Sequence, residues 1–133
     1  MKVYVFGSED VPEDRKAIEA AEKLYHTIDR VSFIFIKPNE DVPFVNESHV
    51  VILDTVNGIR DVTLIEGDEI DALILSPRGS VHDFDLAFQL QYLRKIDKLG
   101  EVTIIGLPQE GRVDHSRIQS IVRKLVAHDM QGS

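Results

Sequence analysis

The stretch VYVFGSEDVPEDRKAIEAAEKLYHTI, residues 3–28, runs from an apolar segment through a glycine into a helix-forming segment. Its first four residues are β-branched or aromatic and do not alternate with polar residues, which is typical of a strand covered on both faces. Pro12 suits the first turn of a helix. Beyond it, one apolar stripe recurs at helical spacing, made of Ile18, Ala21, Leu24, Tyr25 and Ile28. The stretch therefore predicts a strand, a loop and a helix in succession.

Three further apolar runs predict buried strands, and they are residues 33–36, 50–53 and 103–105. A second helix is predicted near the end of the sequence, where Asp114 can cap a periodic apolar stripe of Ile118, Ile121, Val122, Leu125 and Val126. Strands that alternate with helices favour βαβ units. We therefore expect one α/β domain over residues 1–133, a three-layer sandwich whose central, mostly parallel, twisted sheet of about five strands has helices on both faces.

Three segments have a less regular pattern. Residues 82–99 alternate apolar and polar side chains like a half-buried strand, but their length, their composition and the stop at Gly100 favour a helix. Residues 62–65 follow the preceding strand after a short turn at Asn57-Gly58, which is too short for a parallel crossover, so antiparallel pairing at a sheet edge is predicted. Residues 72–75 are predicted as a further short strand.

The composition excludes several classes of function. Fifteen Lys and Arg against 23 Asp and Glu give a net charge of -8, which repels phosphate backbones and anionic lipids, so no nucleic-acid partner is expected. Because the chain has no cysteine, a thiol nucleophile is excluded and any metal site must use carboxylate, imidazole or water. Neither a secretory signal nor a membrane-spanning stretch is visible, so we expect a cytoplasmic protein without membrane insertion.

Candidate chemistry lies at the carboxyl ends of the predicted strands, where open parallel sheets bind ligands. The first strand leads through Gly7 to Glu13 and Asp14, the third predicted strand ends directly in Asp54, and His82 opens a helix. Two carboxylates and an imidazole that converge at one edge would form a divalent metal site with room for water or a substrate group.

Each candidate also has a simpler structural explanation. The helix dipole favours acidic residues in a first turn, Asp54 could shape the turn that follows it, and His82 could simply begin a helix. The chain has no GxGxxG motif or Walker lysine after the first strand and no GxSxG motif, so neither a nucleotide cofactor nor a serine nucleophile is predicted. The remaining histidines lack an acidic partner at ligand spacing and are predicted to lie on the surface; they are His26, His49, His115 and His128.

Four motifs occur in a fixed order along nearly the whole chain. They are Phe6-Gly7-Ser8 with the acidic pair Glu13-Asp14, the strand Val51-Ile-Leu-Asp54, the helix start Val81-His82-Asp83-Phe84, and the strand and turn Ile104-Ile-Gly-Leu-Pro108. In their order and spacing they resemble the hydrogenase maturation endopeptidases, which trim the C-terminal tail from the large subunit of nickel-iron hydrogenases.

This resemblance implies a metal-dependent endopeptidase whose partner is a hydrogenase large-subunit precursor. It implies that Asp14, Asp54 and His82 contact nickel already installed in the substrate, so the nickel is supplied by the substrate and signals that it is ready for cleavage. Asp14 or Asp54 would accept a proton during hydrolysis, and Glu13 is the neighbour to test if Asp14 proves inert. The alternative is a non-catalytic metal-binding or precursor-binding chaperone of hydrogenase assembly.

Two places depart from the pattern of that family. Ser8 stands where the family usually has asparagine, and residues 37–43 contain no glycine where the family usually has an aspartate with a glycine pair. Glycine lets a substrate backbone approach closely, whereas Pro38 and Pro43 stiffen the loop. The departure therefore bears on peptide specificity and on cleavage itself.

Overall fold

The computed structural model describes residues 1–7, 15–36, 43–44, 46–56, 58–66, 69 and 90–132, the last three of these without their side chains. Within these residues, the bounded elements are β1 (Lys2–Phe6), α1 (Arg15–Tyr25), β2 (Ser32–Ile36), β3 (His49–Val56), β4 (Thr63–Glu66), β5 (Glu101–Pro108) and α2 (His115–Gly132). Residues 90–95 are also helical, which confirms the predicted helix for this part of residues 82–99. The prediction that the helix continues to Gly100 is wrong, because the backbone turns at residues 96–97, where Asp97 has a φ of 59°. The predicted strand at residues 72–75 and the predicted helix start at Pro12 lie outside the described residues.

The strands form one sheet in the order β2-β1-β3-β5-β4. The first four of these strands are parallel, and β4 is antiparallel to β5. This confirms the predicted α/β fold with a mostly parallel sheet. β4 lies at an edge as predicted, but its partner is β5 and not the strand that precedes it. The reason is that β5 is buried at all but its first position and takes a central place, whereas β4 is only partly buried and suits an edge.

Alternate residues of the central strands pack into two apolar layers. On one face, α1 and α2 cover residues such as Val5, Leu53 and Ile105. On the other face, Ile52 and Ile104 pack with residues that include the helical pair Leu90 and Leu93. Helices therefore cover both faces of the sheet, as the sequence predicts.

The two bounded helices are fixed by local signals that the sequence contains. In α1 the buried residues are Ala17, Ala20, Ala21 and Leu24. Tyr25 is 67% exposed, so its place in the predicted buried stripe is wrong, because the small alanines bring another side of the helix against the sheet. At the start of α2, the backbone N–H of Arg117 donates to Asp114 Oδ1 at 3.1 Å, which confirms the predicted cap.

Polar side chains connect the strands near their amino ends. The Tyr4 hydroxyl donates to both carboxylate oxygens of Glu47 at 2.7 Å. Burial, and then the hydrogen bond to Glu47 and its charge, raise the pKa of Tyr4 above its ordinary value. The Thr103 hydroxyl lies 2.8 Å from His49 Nε2 and donates to Glu66 Oε2 at 3.4 Å, which links β3, β5 and β4.

Three of the four remaining histidines, His26, His49 and His128, are exposed as predicted. His115 is partly buried between α1 and α2, so the surface prediction for it is wrong. Its Nε2 lies 3.3 Å from Lys23 Nζ, and burial followed by the Lys23 charge lowers its pKa, against the opposing carboxylates of Glu19 and Asp114. In the described part of the chain, none of the helices has the length and apolar character needed to cross a membrane.

Candidate functional site

Asp54 lies near the carboxyl end of β3. The sequence predicts the site at this end of the parallel strands. The sequence predicts that this strand ends at Asp54, but it continues to Val56. The reason is that its pairing with β5 extends to Val56 and Pro108. Asp54 is therefore a strand residue and is only 2% exposed. A carboxylate at such a depth requires polar partners, since an isolated buried charge is strongly unfavourable.

One of these partners is the backbone of the next residue. The N–H of Thr55 donates to Asp54 Oδ1 at 2.9 Å, which fixes the orientation of the carboxylate. The register places Leu53 beside Val5 of β1 and Asp54 beside Gly106 of β5. Asp54 is thus held between two parallel neighbours, close to the point where β1 ends.

Gly106, the partner of Asp54 in β5, is closely surrounded by apolar side chains. A Cβ at this position would lie 3.1 Å from Val56 Cγ2, 3.2 Å from Ile59 Cδ1 and 3.3 Å from Ile65 Cδ1. The surrounding apolar groups are therefore packed as closely as the glycine allows. A glycine inside an otherwise apolar strand is the sequence signal for such a close approach.

Thr55 points to the opposite face of the sheet from Asp54, as strand alternation requires. It is 0% exposed, and its Oγ1 has no hydrogen-bond partner within the described part of the chain. From the sequence, residue 55 belongs only to the turn predicted after Asp54. No sequence signal distinguishes this threonine, because its lack of a partner depends on how β1, β5 and the helices pack around it.

Lys16 joins the first turn of α1 to the end of β5. Its Nζ donates to the carbonyl oxygens of Pro108 at 3.1 Å and Gly111 at 2.9 Å. The contact places one positive charge near the carboxyl ends of the strands in a chain of net charge -8. Sequence reasoning missed it because the contact joins residues that are distant along the chain.

The other predicted site residues, Glu13, Asp14 and His82, lie outside the described residues, as do Ser8 and residues 37–42. Among the described side chains, no group of three or more His, Asp or Glu residues is arranged to hold a metal ion. The convergence of Asp14 and His82 with Asp54 therefore stays a prediction.

A family model described as HycI hydrogenase maturation protease matches residues 36–131. The match spans most of the chain and includes the positions of Asp54 and His82, and it begins after Asp14. The chain belongs to the hydrogenase maturation protease family. The resemblance inferred from the sequence motifs is confirmed, and membership places the chain in a family of peptidases, which are hydrolases. None of the curated proteins matches the chain in sequence.

Several solved structures share the fold of this chain. The hydrogenase maturating endopeptidase HybD from E. coli superimposes with a TM-score of 0.70 at 16% identity, over 100% of this chain and 94% of that chain. An uncharacterized protein from Wolinella succinogenes gives a TM-score of 0.60 at 14% identity, over 96% of each chain. The nickel-iron hydrogenase maturation protease HycI from Thermococcus kodakarensis gives 0.53 at 17% identity, over 96% of this chain and 90% of that chain. At these identities the similarity concerns the fold.

Proposed function

We propose that this chain is a single-domain cytoplasmic endopeptidase that removes the C-terminal extension of a nickel-iron hydrogenase large-subunit precursor after nickel insertion. The observation that carries the proposal is the position of Asp54. In a chain of the hydrogenase maturation protease family, this carboxylate is buried and oriented at the carboxyl end of a central parallel strand. This is the edge where open α/β sheets place their ligands.

In the proposed reaction, the nickel belongs to the substrate, and Asp14, Asp54 and His82 contact it. Carboxylate and imidazole are suitable ligands for sensing divalent nickel, whereas cysteine thiolates of the substrate would hold it more tightly. A cysteine-free set can therefore probe the metal without removing it. The hydrogen bond from the Thr55 N–H suits this role, because it keeps one oxygen of Asp54 in a fixed position.

Hydrolysis consumes one water and breaks one peptide bond. The water oxygen becomes one oxygen of the new carboxylate of the mature large subunit, and the proton taken from the water passes to the leaving nitrogen, which becomes the amino group of the released tail. We assign the acceptance of the water proton to Asp54 or Asp14, because a carboxylate within hydrogen-bond reach of the attacking water can act as general base. Substrate nickel would supply polarisation of a carbonyl or a water.

The test follows the mass of a precursor incubated with the purified protein, once loaded with nickel and once free of nickel. We expect a loss of mass that corresponds to the tail in the nickel-loaded sample alone. Asp54→Asn should abolish this loss, since asparagine keeps the size of the side chain but neither accepts the proton nor carries the charge.

Asp29→Asn is the matched control, because Asp29 is an exposed carboxylate in the connection between α1 and β2, at the other end of the sheet. This variant should cleave at the wild-type rate. Unchanged precursor mass with a stable complex would instead identify an assembly chaperone. Absence of both cleavage and binding would refute both functions.

A further inference from the structure

Within the described residues, the strand β2 forms an edge of the sheet without the usual protecting groups. In the part of the chain that the structure describes, its only strand partner is β1, and its sequence Ser-Phe-Ile-Phe-Ile has neither charge nor proline. Natural sheets usually protect their edge strands with charged residues or proline, because the outer N–H and C=O groups can pair with another extended chain. At the other edge, by contrast, Arg117 Nε donates to the Val62 carbonyl beside β4 at 2.9 Å.

A groove lies beside β2, between this strand and the C-terminal half of α1. Its volume is about 180 Å³, and we call it the ring groove because Tyr25, His26, Phe33 and Phe35 line it, together with Ala21 and Glu22. The volume is below the about 300 Å³ at which small-molecule pockets begin, so the groove suits a single side chain. Tyr25 is 67% exposed and Phe35 is 49% exposed, and both rings are therefore accessible from solvent.

The chemistry of the ring groove favours a cation. The rings of Tyr25 and His26 stand nearly perpendicular, with centroids 5.2 Å apart and an interplanar angle of 86°. Aromatic faces attract ammonium and guanidinium groups, and Glu22 adds a carboxylate at the same place. Neither lysine nor arginine is found among the described residues that line the groove, and the chain as a whole has a net charge of -8. A basic side chain is complementary to this charge.

The geometry points to a peptide-docking surface: we propose that the outer edge of β2 pairs with an extended peptide segment that inserts a lysine or arginine side chain into the ring groove. Phe33 and Phe35 lie on the same face of β2, as strand alternation requires, and they flank the position that the inserted side chain would take. Backbone pairing supplies affinity in such complexes and the pocket supplies specificity.

The docked segment would extend toward the level of Asp54. Ile36, the last residue of β2, pairs with Phe6, and the preceding residue of β1, Val5, pairs with Leu53 next to Asp54. Along a strand, the three steps from Phe33 to Ile36 span about 10 Å. The surface does not depend on cleavage, so it is tested by binding alone.

The probe is the acetylated and amidated peptide Thr-Val-Arg-Val-Thr. In an extended chain, the arginine and the two threonines face one side, and the two valines face the other. Its control replaces arginine by citrulline, which has nearly the same shape but no charge. A second control carries methyl groups on the backbone nitrogens and cannot pair with an edge. Binding to the full-length chain is followed by the amide NMR signals of the protein.

We expect saturable shifts confined to β2 and the second half of α1. The citrulline peptide should bind at least about threefold more weakly, as expected for the loss of an exposed cation–π contact and ion pair. The methylated peptide should not bind. Glu22→Gln should reduce the affinity for the arginine peptide, whereas Glu110→Gln, which removes an exposed carboxylate after β5, should leave it unchanged.

Four results would overturn the proposal. They are equal affinity for the arginine and citrulline peptides, binding of the methylated peptide, shifts located elsewhere on the protein, and the absence of any shift. Shifts of the β2 signals that depend on protein concentration without peptide would also contradict it, because they would show that a second copy of this chain occupies the edge.

Discussion

Replacing Thr55 by valine should stabilise the protein. Thr55 is 0% exposed, and its hydroxyl has no hydrogen-bond partner in the described part of the chain. A buried hydroxyl without a partner costs about 1–3 kcal/mol of desolvation, and valine has nearly the same shape without that polar group. Asp54 keeps its contact, because the hydrogen bond comes from the backbone N–H of residue 55. We therefore expect the free energy of unfolding of Thr55→Val to rise by about 1 kcal/mol.

The neighbouring strand provides a matched control. Thr103 lies in β5 and is 2% exposed, but its hydroxyl contacts both His49 and Glu66. Thr103→Val removes these contacts and should lower the free energy of unfolding by about 1 kcal/mol, since a typical hydrogen bond contributes about 0.5–1.5 kcal/mol and the partners can still reach water. The two variants make the same chemical change at similar depth, and they are expected to differ by about 2 kcal/mol.

Urea unfolding followed by far-UV circular dichroism measures both variants, and the midpoints can be compared directly if the slopes agree. The reasoning is refuted if Thr55→Val is destabilised as much as Thr103→Val. That outcome would show that the Thr55 hydroxyl is satisfied in solution. Cleavage assays on the same variant add a second readout, since a more stable but inactive Thr55→Val would show that the hydroxyl is kept for function.

Two further predictions concern Gly106 and His115. Gly106→Ala should lower the free energy of unfolding by about 1 kcal/mol, because its Cβ would crowd the ends of three side chains, and an unchanged value in urea unfolding would contradict this packing. The lowered pKa of His115 means that the unfolded chain binds more protons than the folded chain once the pH falls below 6.5. The free energy of unfolding should therefore fall on acidification. His115→Asn should reduce the difference between the urea midpoints at about pH 7.5 and about pH 5.5. Equal differences in the wild type and the variant would exclude His115 as the cause.

The sequence predicts much of the fold because its signals are local. Unbroken apolar runs identify β1, β2, β3 and β5, and the Asp114 cap marks the start of α2. The partner of β4 could not be predicted, since the insertion of β5 beside β3 depends on which strand buries both of its faces. The exposure of Tyr25 could not be predicted for a related reason. The helix period identifies an apolar stripe, but it does not show which side of that stripe faces the sheet.

The candidate site is predictable to a smaller extent. Asp54 could be identified because it follows an apolar run, and its predicted place near the carboxyl end of a buried strand is confirmed. Its depth could not be predicted, because it results from the two residues of β3 that follow and from the pairing with β5. Thr55 and Lys16 carry no local signal, since their surroundings come from distant parts of the chain.

The contrast between the two ends of the sheet gives a physical reason to place function at the carboxyl end. At the amino end, the buried hydroxyl of Thr103 is paired across three strands. At the carboxyl end, within the described residues, the equally buried hydroxyl of Thr55 has no partner, although Thr55 follows Asp54 in the chain and points to the opposite face of the sheet. Buried polar groups are paired almost everywhere in native proteins, and sites that break this rule are expected where activity is selected over stability. The unpaired hydroxyl is therefore an independent reason, besides the strand-end rule, to look for the chemistry of this chain around residues 54 and 55.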